Sequence, residues 1–189
     1  GVNDGSATIG HGLNIAPKIV ITKIRSLSGF NWDFATTQID GSTDYLSLNT
    51  TDAKGDYSSA YQLTDTNFPN LYSSIGATVI AYCFAEVAGF SMFGSYTGTG
   101  AAGNAQVLGF EPAFIMVKRT DSGSGWLIVD TVRGNGHELY PHSSIAELSS
   151  AEGGTYDRLH LTATGFEFTS DAFNESGSTW IYMAFANQF

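Results

Sequence analysis

Little in this chain carries charge. Lysine and arginine number 8 in 189 residues, charged residues make up 14%, and the formal net charge is −10. So few cations exclude the clustered phosphate contacts on which nucleic-acid binding rests. They also argue against adsorption to an anionic membrane. Long apolar runs are missing too. None approaches the roughly 18 residues of a membrane-crossing helix, so no membrane insertion is expected. Gly1-Val2-Asn3-Asp4-Gly5 does not read as a signal peptide. The single cysteine, Cys83, excludes an intramolecular disulfide, and its apolar strand setting makes it a small buried hydrophobe. No long amphipathic helix can be traced. Low charge with 22 glycines points to a β-rich protein with a neutral polar surface.

What the chain does have is its own plan twice. Pro17-Lys18-Ile19-Val20-Ile21-Thr22-Lys23 reappears as Pro112-Ala113-Phe114-Ile115-Met116-Val117-Lys118. Trp32 answers to Trp126, and Leu46–Thr51 more loosely to Leu139–Ser144. Thr78-Val79-Ile80-Ala81-Tyr82-Cys83-Phe84-Ala85 answers to Thr179-Trp180-Ile181-Tyr182-Met183-Ala184-Phe185-Ala186. The separation drifts along the chain, so the loops differ while the apolar segments hold. A duplication of this size means two similar folded units. A residue present in only one copy is then not required by the fold, which is a filter for function. Ala184 stands opposite Cys83, which supports packing as the role of the thiol.

Short apolar runs separated by turn signals give strands at Lys18–Ile24, Phe30–Phe34, Tyr45–Leu48, Thr78–Val87, Phe90–Tyr96, Phe114–Arg119, Trp126–Asp130 and Ser178–Ala186. Ser58–Leu63 and Asn70–Ser73 read as weaker strands. Arg158–Thr162 and Phe166–Thr169 make a hairpin around Thr164-Gly165. Ile145–Ala151 has the look of a short helix capped by Ser143 or Ser144. The expected fold is all-β: two tandem antiparallel β-sandwich repeats of jelly-roll or lectin-like type, residues 1–89 and 90–189. Val79–Ala85 and Trp180–Ala186 are apolar on both faces, so both strands should be central, with a cover on each side. The first copy lacks a match for Phe93–Gly100. Its first strand is either absent or supplied from upstream in a longer polypeptide.

The chemical motifs are weak. Gly98-Thr99-Gly100-Ala101-Ala102-Gly103 matches a dinucleotide fingerprint in letters, but Pro112 follows too soon for the helix that fingerprint needs. It reads as a flexible loop. His137 and His142 are five apart with Pro141 between them, which fails the zinc-protease helix. Asp130 and Arg133 read as an ion pair pinning a strand end. Asp40, Asp44, Asp52 and Asp56 lack the spacing of a known Ca²⁺ loop and read as solvated charge. The sequons at Asn49 and Asn174 are expected by chance in so much Asn, Ser and Thr. No catalytic residue, metal ligand or cofactor site is assigned. Aromatics reach 13%. Tyr57 and Tyr61 lie in a stretch particular to the first copy. His137 and Tyr140, in the copy-specific loop Gly134–His142, are the candidate ligand-binding residues.

Val107–Arg119, Trp126, Asp130-Thr131-Val132-Arg133-Gly134, Ala146-Glu147, Gly165-Phe166, Asn174–Gly177 and Thr179–Phe185, in this order, resemble a repeat of bacteriophage tail-fibre and other virion proteins, many of them marine. The first copy is similar through Gly10–Lys18, Tyr45–Ala53 and Tyr82–Ala85, but Ala35–Ile39 replaces the Asp-x-Val-Arg-Gly stretch. The resemblance implies a virion or extracellular surface setting. It implies partners in host cell-surface glycans and in other virion subunits or further copies of the chain. It supplies no catalytic residues. Host-surface attachment through glycan-binding loops is therefore the expected function. A structural, decoration or filament-forming module and a polysaccharide depolymerase are the alternatives.

Overall fold

The computed structural model describes residues 7–70 and 76–187. These residues form sixteen β-strands and no helix, and every strand pairing between them is antiparallel. The chain divides into two compact units. The first is Gly1–Asn49 with Lys54–Ala85; the second is Thr50–Ala53 with Glu86–Phe189.

The first unit holds β1 (Thr8–Gly10), β2 (Ile19–Ile24), β3 (Trp32–Thr36), β4 (Asp44–Ser47), β5 (Gly55–Asp56), β6 (Asn67–Pro69) and β7 (Val79–Phe84). Its main sheet has the order β5-β4-β3-β2-β7, and β1 pairs with β6 as a separate ribbon. Alternation along the strands sorts the side chains. Val20 and Ala35 face a small core with Tyr61 and Phe68, while Ile19, Ile21, Phe34 and Leu46 are buried on the other face.

The second unit holds β8 (Ser91–Thr97), β9 (Asn104–Val107), β10 (Pro112–Arg119), β11 (Trp126–Asp130), β12 (His137–Glu138), β13 (Leu148–Ser149), β14 (Leu159–Thr162), β15 (Gly165–Phe168) and β16 (Thr179–Ala186). Sheets β11-β10-β16-β8 and β14-β15-β9 enclose one core between them, in a sandwich-like arrangement. Ile115, Val117, Leu127, Val129, Trp180 and Ala184 meet Leu159, Phe166 and Phe168 there. On the other face Met116, Lys118, Trp126, Ile181 and Met183 are buried as well. The doubly apolar composition of β10 and β16 thus reflects burial on both sides.

The drifting spacing of the two copies converges in the ladders. Ile19 pairs with Phe84, Val20 with Cys83, Ile21 with Tyr82 and Thr22 with Ala81. The matching residues pair identically: Phe114 with Phe185, Ile115 with Ala184, Met116 with Met183 and Val117 with Tyr182. On the opposite edge Lys23 pairs with Trp32 and Lys118 with Trp126. The match extends outward. Phe34 pairs with Leu46, and a single bridge joins Ile128 to Leu139, so that β4-β5 and β12-β13 take corresponding places.

Four expectations are corrected. β16 is central and largely buried, but β7 ends its sheet and is only half-buried. The far edge of β16 is paired by β8, and no other described strand plays that part for β7. The residues of the first copy that would correspond to β8 include 1–6, outside the described residues. Ile145–Ala151 is no helix: Leu148–Ser149 pairs with His137–Glu138. A seven-residue helix is shorter than helix nucleation tolerates without strong packing, and Ile145 is exposed. Ser58–Leu63 is a turn closed by Tyr61 N–H donating to the Ser58 carbonyl at 2.8 Å. Gly98–Gly103 is a pinned loop, tied down by Asn174 as described below. Of the weak strand Asn70–Ser73, residues 71–73 lie outside the described residues. The hairpin around Thr164-Gly165 is present as β14 and β15.

Candidate binding site

The Gly134–His142 loop is shaped by its first residues. Asp130, at the end of β11, accepts backbone N–H groups of Val132 and Arg133, both at 3.0 Å, and pairs with the Arg133 guanidinium. This is the strand-end pin expected of that pair. Gly136 has φ +78, and an added Cβ would stand 2.4 Å from the Ser150 carbonyl oxygen, so only glycine fits. The chain then enters β12.

His137 and Tyr140 join different networks. His137 Nδ1 lies 2.7 Å from Glu147 Oε1, and Arg133 Nε donates to Glu147 Oε2 at 3.0 Å. Asp130, Arg133, Glu147 and His137 thus form a polar chain at the surface. These bonds, that to His137 first, hold the Glu147 carboxyl below its ordinary range. Tyr140 is half-buried against the core of the second unit, near His142 and Phe173. Its hydroxyl donates to Glu138, and Arg158 Nη1 reaches Glu138 Oε2 at 3.1 Å and the Tyr140 oxygen at 3.0 Å. Burial pushes the Glu138 carboxyl up, and its Oε1 meets no donor among the described residues. His142 accepts the Trp126 N–H at 3.0 Å through Nδ1, and burial pushes its pKa down. His137 and His142 form no metal-type cluster among the described residues.

The first unit has an aromatic stack beside a carboxylate. Tyr57 and Tyr61 lie parallel at 4.0 Å between ring centroids, and Tyr45 tilts onto Tyr57 at 4.8 Å. Tyr61 is buried, while Tyr45 is 41% exposed. Gly55, opposite Tyr45 in the ladder, makes room for it: an added Cβ would stand 2.3 Å from the ring. Beneath the stack, Asp33 shares a crevice with Thr22, Tyr57, Tyr61 and Asn70. Burial, partly offset by Lys23, pushes its carboxyl up to about 6.

Three carboxylates converge around Lys54. Lys54 Nζ contacts Asp40 Oδ2 at 2.9 Å, Asp44 Oδ1 at 2.7 Å and Asp56 Oδ1 at 2.5 Å. Asp44 and Asp56 face each other across β4 and β5; Asp40 comes from the preceding turn. Asp52, in the segment that belongs to the second unit, is not part of this group. The register places Asp44 where the second copy has His137, and Tyr45 where it has Glu138. The copy-specific polar groups therefore occupy one structural position in both units.

Three further residues were not singled out by sequence. Asn174, read as part of a chance sequon, is fully buried. Its Oδ1 accepts the Thr99 N–H and Asn104 Nδ2, and its Nδ2 donates to Thr99 Oγ1 and to the Ala101 and Ser170 carbonyls. Lys118 is fully buried, and desolvation pushes its amine down to about 8. Tyr45 was visible only as a strand residue; its platform depends on Gly55, ten positions away.

A family model described as a domain of unknown function (DUF7483) matches residues 2–188. No curated protein and no solved structure matches the chain.

Proposed function

We propose that this chain, which belongs to the DUF7483 family, is a module of a phage-type virion appendage, such as a tail fibre, that attaches to host-surface glycans. Its body is read as two tandem jelly-roll-like β-sandwich repeats. The identical register of β3-β2-β7 and β11-β10-β16 supports that reading. The setting, on a virion or other extracellular surface, rests on the ordered resemblance of both copies to virion repeats.

The observation that carries glycan binding is the Tyr45–Tyr57–Tyr61 stack, exposed at Tyr45 and set beside the Asp33 carboxylate. A sugar ring offers C–H groups to an aromatic face and hydroxyls to neighbouring acids. One such contact is worth on the order of 1 kcal/mol, by analogy with other aromatic-face interactions. Useful attachment then needs many copies on one appendage. In the second unit the proposed contact region is the Gly134–His142 loop, with His137 at the surface and Tyr140 supporting it through Glu138.

A glycan array of bacterial surface polysaccharides tests this. The wild-type chain should bind a subset of glycans, and Tyr45→Ala should lose that binding at unchanged melting temperature. A folded wild-type chain that binds none of them would leave the structural or decoration role. Release of oligosaccharide products from a bound polysaccharide would point to a depolymerase instead.

A further inference from the structure

The group around Lys54 has an imbalance that its ion pairs do not resolve. Three carboxylates surround one ammonium, leaving two negative charges in surplus. Asp44 is fully buried, and its second oxygen, Oδ2, meets no donor among the described residues. A buried acceptor left without a partner costs about 1–3 kcal/mol. Asp44 and Asp56 also stand directly opposite each other in the β4–β5 ladder, an arrangement that like charges resist. A salt bridge built only to hold β4 and β5 together needs neither the third carboxylate nor the orphan oxygen.

A hard divalent cation answers both features. One oxygen from each of Asp40, Asp44 and Asp56 lies within 4.8 Å of the other two. Ca²⁺ binds oxygen at 2.3–2.6 Å, so two of its ligands stand at most about 5 Å apart, a limit that this cluster meets. Asp40 and Asp56 are exposed, which leaves that side open to water ligands. The Asp44 side supplies the unpartnered oxygen.

We propose that Asp40, Asp44 and Asp56 form a Ca²⁺ site in the first unit, with Lys54 as its internal competitor. Without the metal, the Lys54 ammonium stands in for part of the missing positive charge. When Ca²⁺ arrives, the lysine swings out to solvent, which its position just before β5 and its 24% side-chain exposure allow. The site does not depend on glycan binding and would exist in a purely structural module.

The test uses the full chain stripped with EDTA. Isothermal titration with CaCl₂ and the melting temperature report binding, and Tb³⁺ luminescence sensitised through Tyr45 and Tyr57 reports location. Saturable Ca²⁺ binding with a raised melting temperature is expected, at least tenfold tighter in Lys54→Met. Asp44→Asn should abolish it. Because that buried variant risks misfolding, Asp56→Asn at the exposed rim is the second arm and should weaken binding at least tenfold. Absence of Ca²⁺ binding in both wild type and Lys54→Met would overturn the proposal. So would binding unaffected by Asp56→Asn, or Mg²⁺ binding as tight as Ca²⁺.

Discussion

Lys118 stands between Trp126 and Ile181 in its sheet as Lys23 stands between Trp32 and Ile80 in the other. The ladder positions are equivalent and the environments are not. Lys23 is partly exposed, with its ammonium 5.8 Å from the Trp32 ring centroid. Lys118 is fully buried, and its ammonium donates to the Arg119 carbonyl.

Burial of Lys118 sets a pH dependence. Its amine falls from 10.5 to about 8 in the fold, so between these values the unfolded chain binds a proton that the folded chain does not. Stability should therefore rise from pH 8 to 10. One pKa unit is about 1.4 kcal/mol, which puts the full effect at roughly 3 kcal/mol. Lys118→Met should remove this slope and melt higher at pH 7. Thermal unfolding at pH 7, 8 and 9.5 checks both.

Asp33 acts in the opposite sense. Its carboxyl is raised to about 6, so the folded chain keeps a proton that the unfolded chain loses between pH 4 and 6. This residue's contribution to stability should fall across that window. Asp33→Asn should flatten the fall and stabilise the chain at pH 7 by about 1–2 kcal/mol. Urea unfolding of both proteins at pH 4.5 and 7 gives the difference.

Asn174→Ala removes five side-chain hydrogen bonds at once. A loss of roughly 2–4 kcal/mol is expected, from buried partners left without bonds. Amide exchange should speed up across residues 98–104 before it does in β10. Unchanged protection there would mean that the loop is held by its backbone alone.

Tyr140 should behave as a packing residue. Tyr140→Phe removes the hydroxyl donor to Glu138 and should cost about 1–2 kcal/mol. Tyr140→Ala should cost about 2–4 kcal/mol. Chemical denaturation measures both; a change below about 0.5 kcal/mol would fit an exposed side chain instead.

The strands that carry the register were legible because they are continuous apolar runs bounded by turns. Ile19–Lys23, Trp32 and the Thr78 strand match their second-copy counterparts in residue type and order. The edge position of β7 was not legible, since composition reports apolar faces and says nothing about which ladder lies beyond. Asp40, Asp44 and Asp56 were visible as acids, but Lys54 gathers them only after β4 and β5 pair. In the sequence Asn174 shows only as a chance sequon, because its neighbours Glu175, Ser176 and Gly177 are polar or small, and burial of an amide leaves no periodic trace. The sequence shows that His137 belongs to one copy alone; only the ladders show that it matches Asp44.

The interior placement of Asn174 bears on how this protein can be produced. A eukaryotic secretory host transfers oligosaccharide to Asn-x-Ser while the chain is still emerging, when Asn174-Glu175-Ser176 is open. The amide that accepts the sugar is the one that must later enter the interior and donate three bonds there. A sugar attached at that nitrogen would keep the segment outside and leave the Gly98–Gly103 loop unfastened. Bacterial expression avoids that modification, and yeast or insect-cell material should be recovered folded only when position 174 has escaped it.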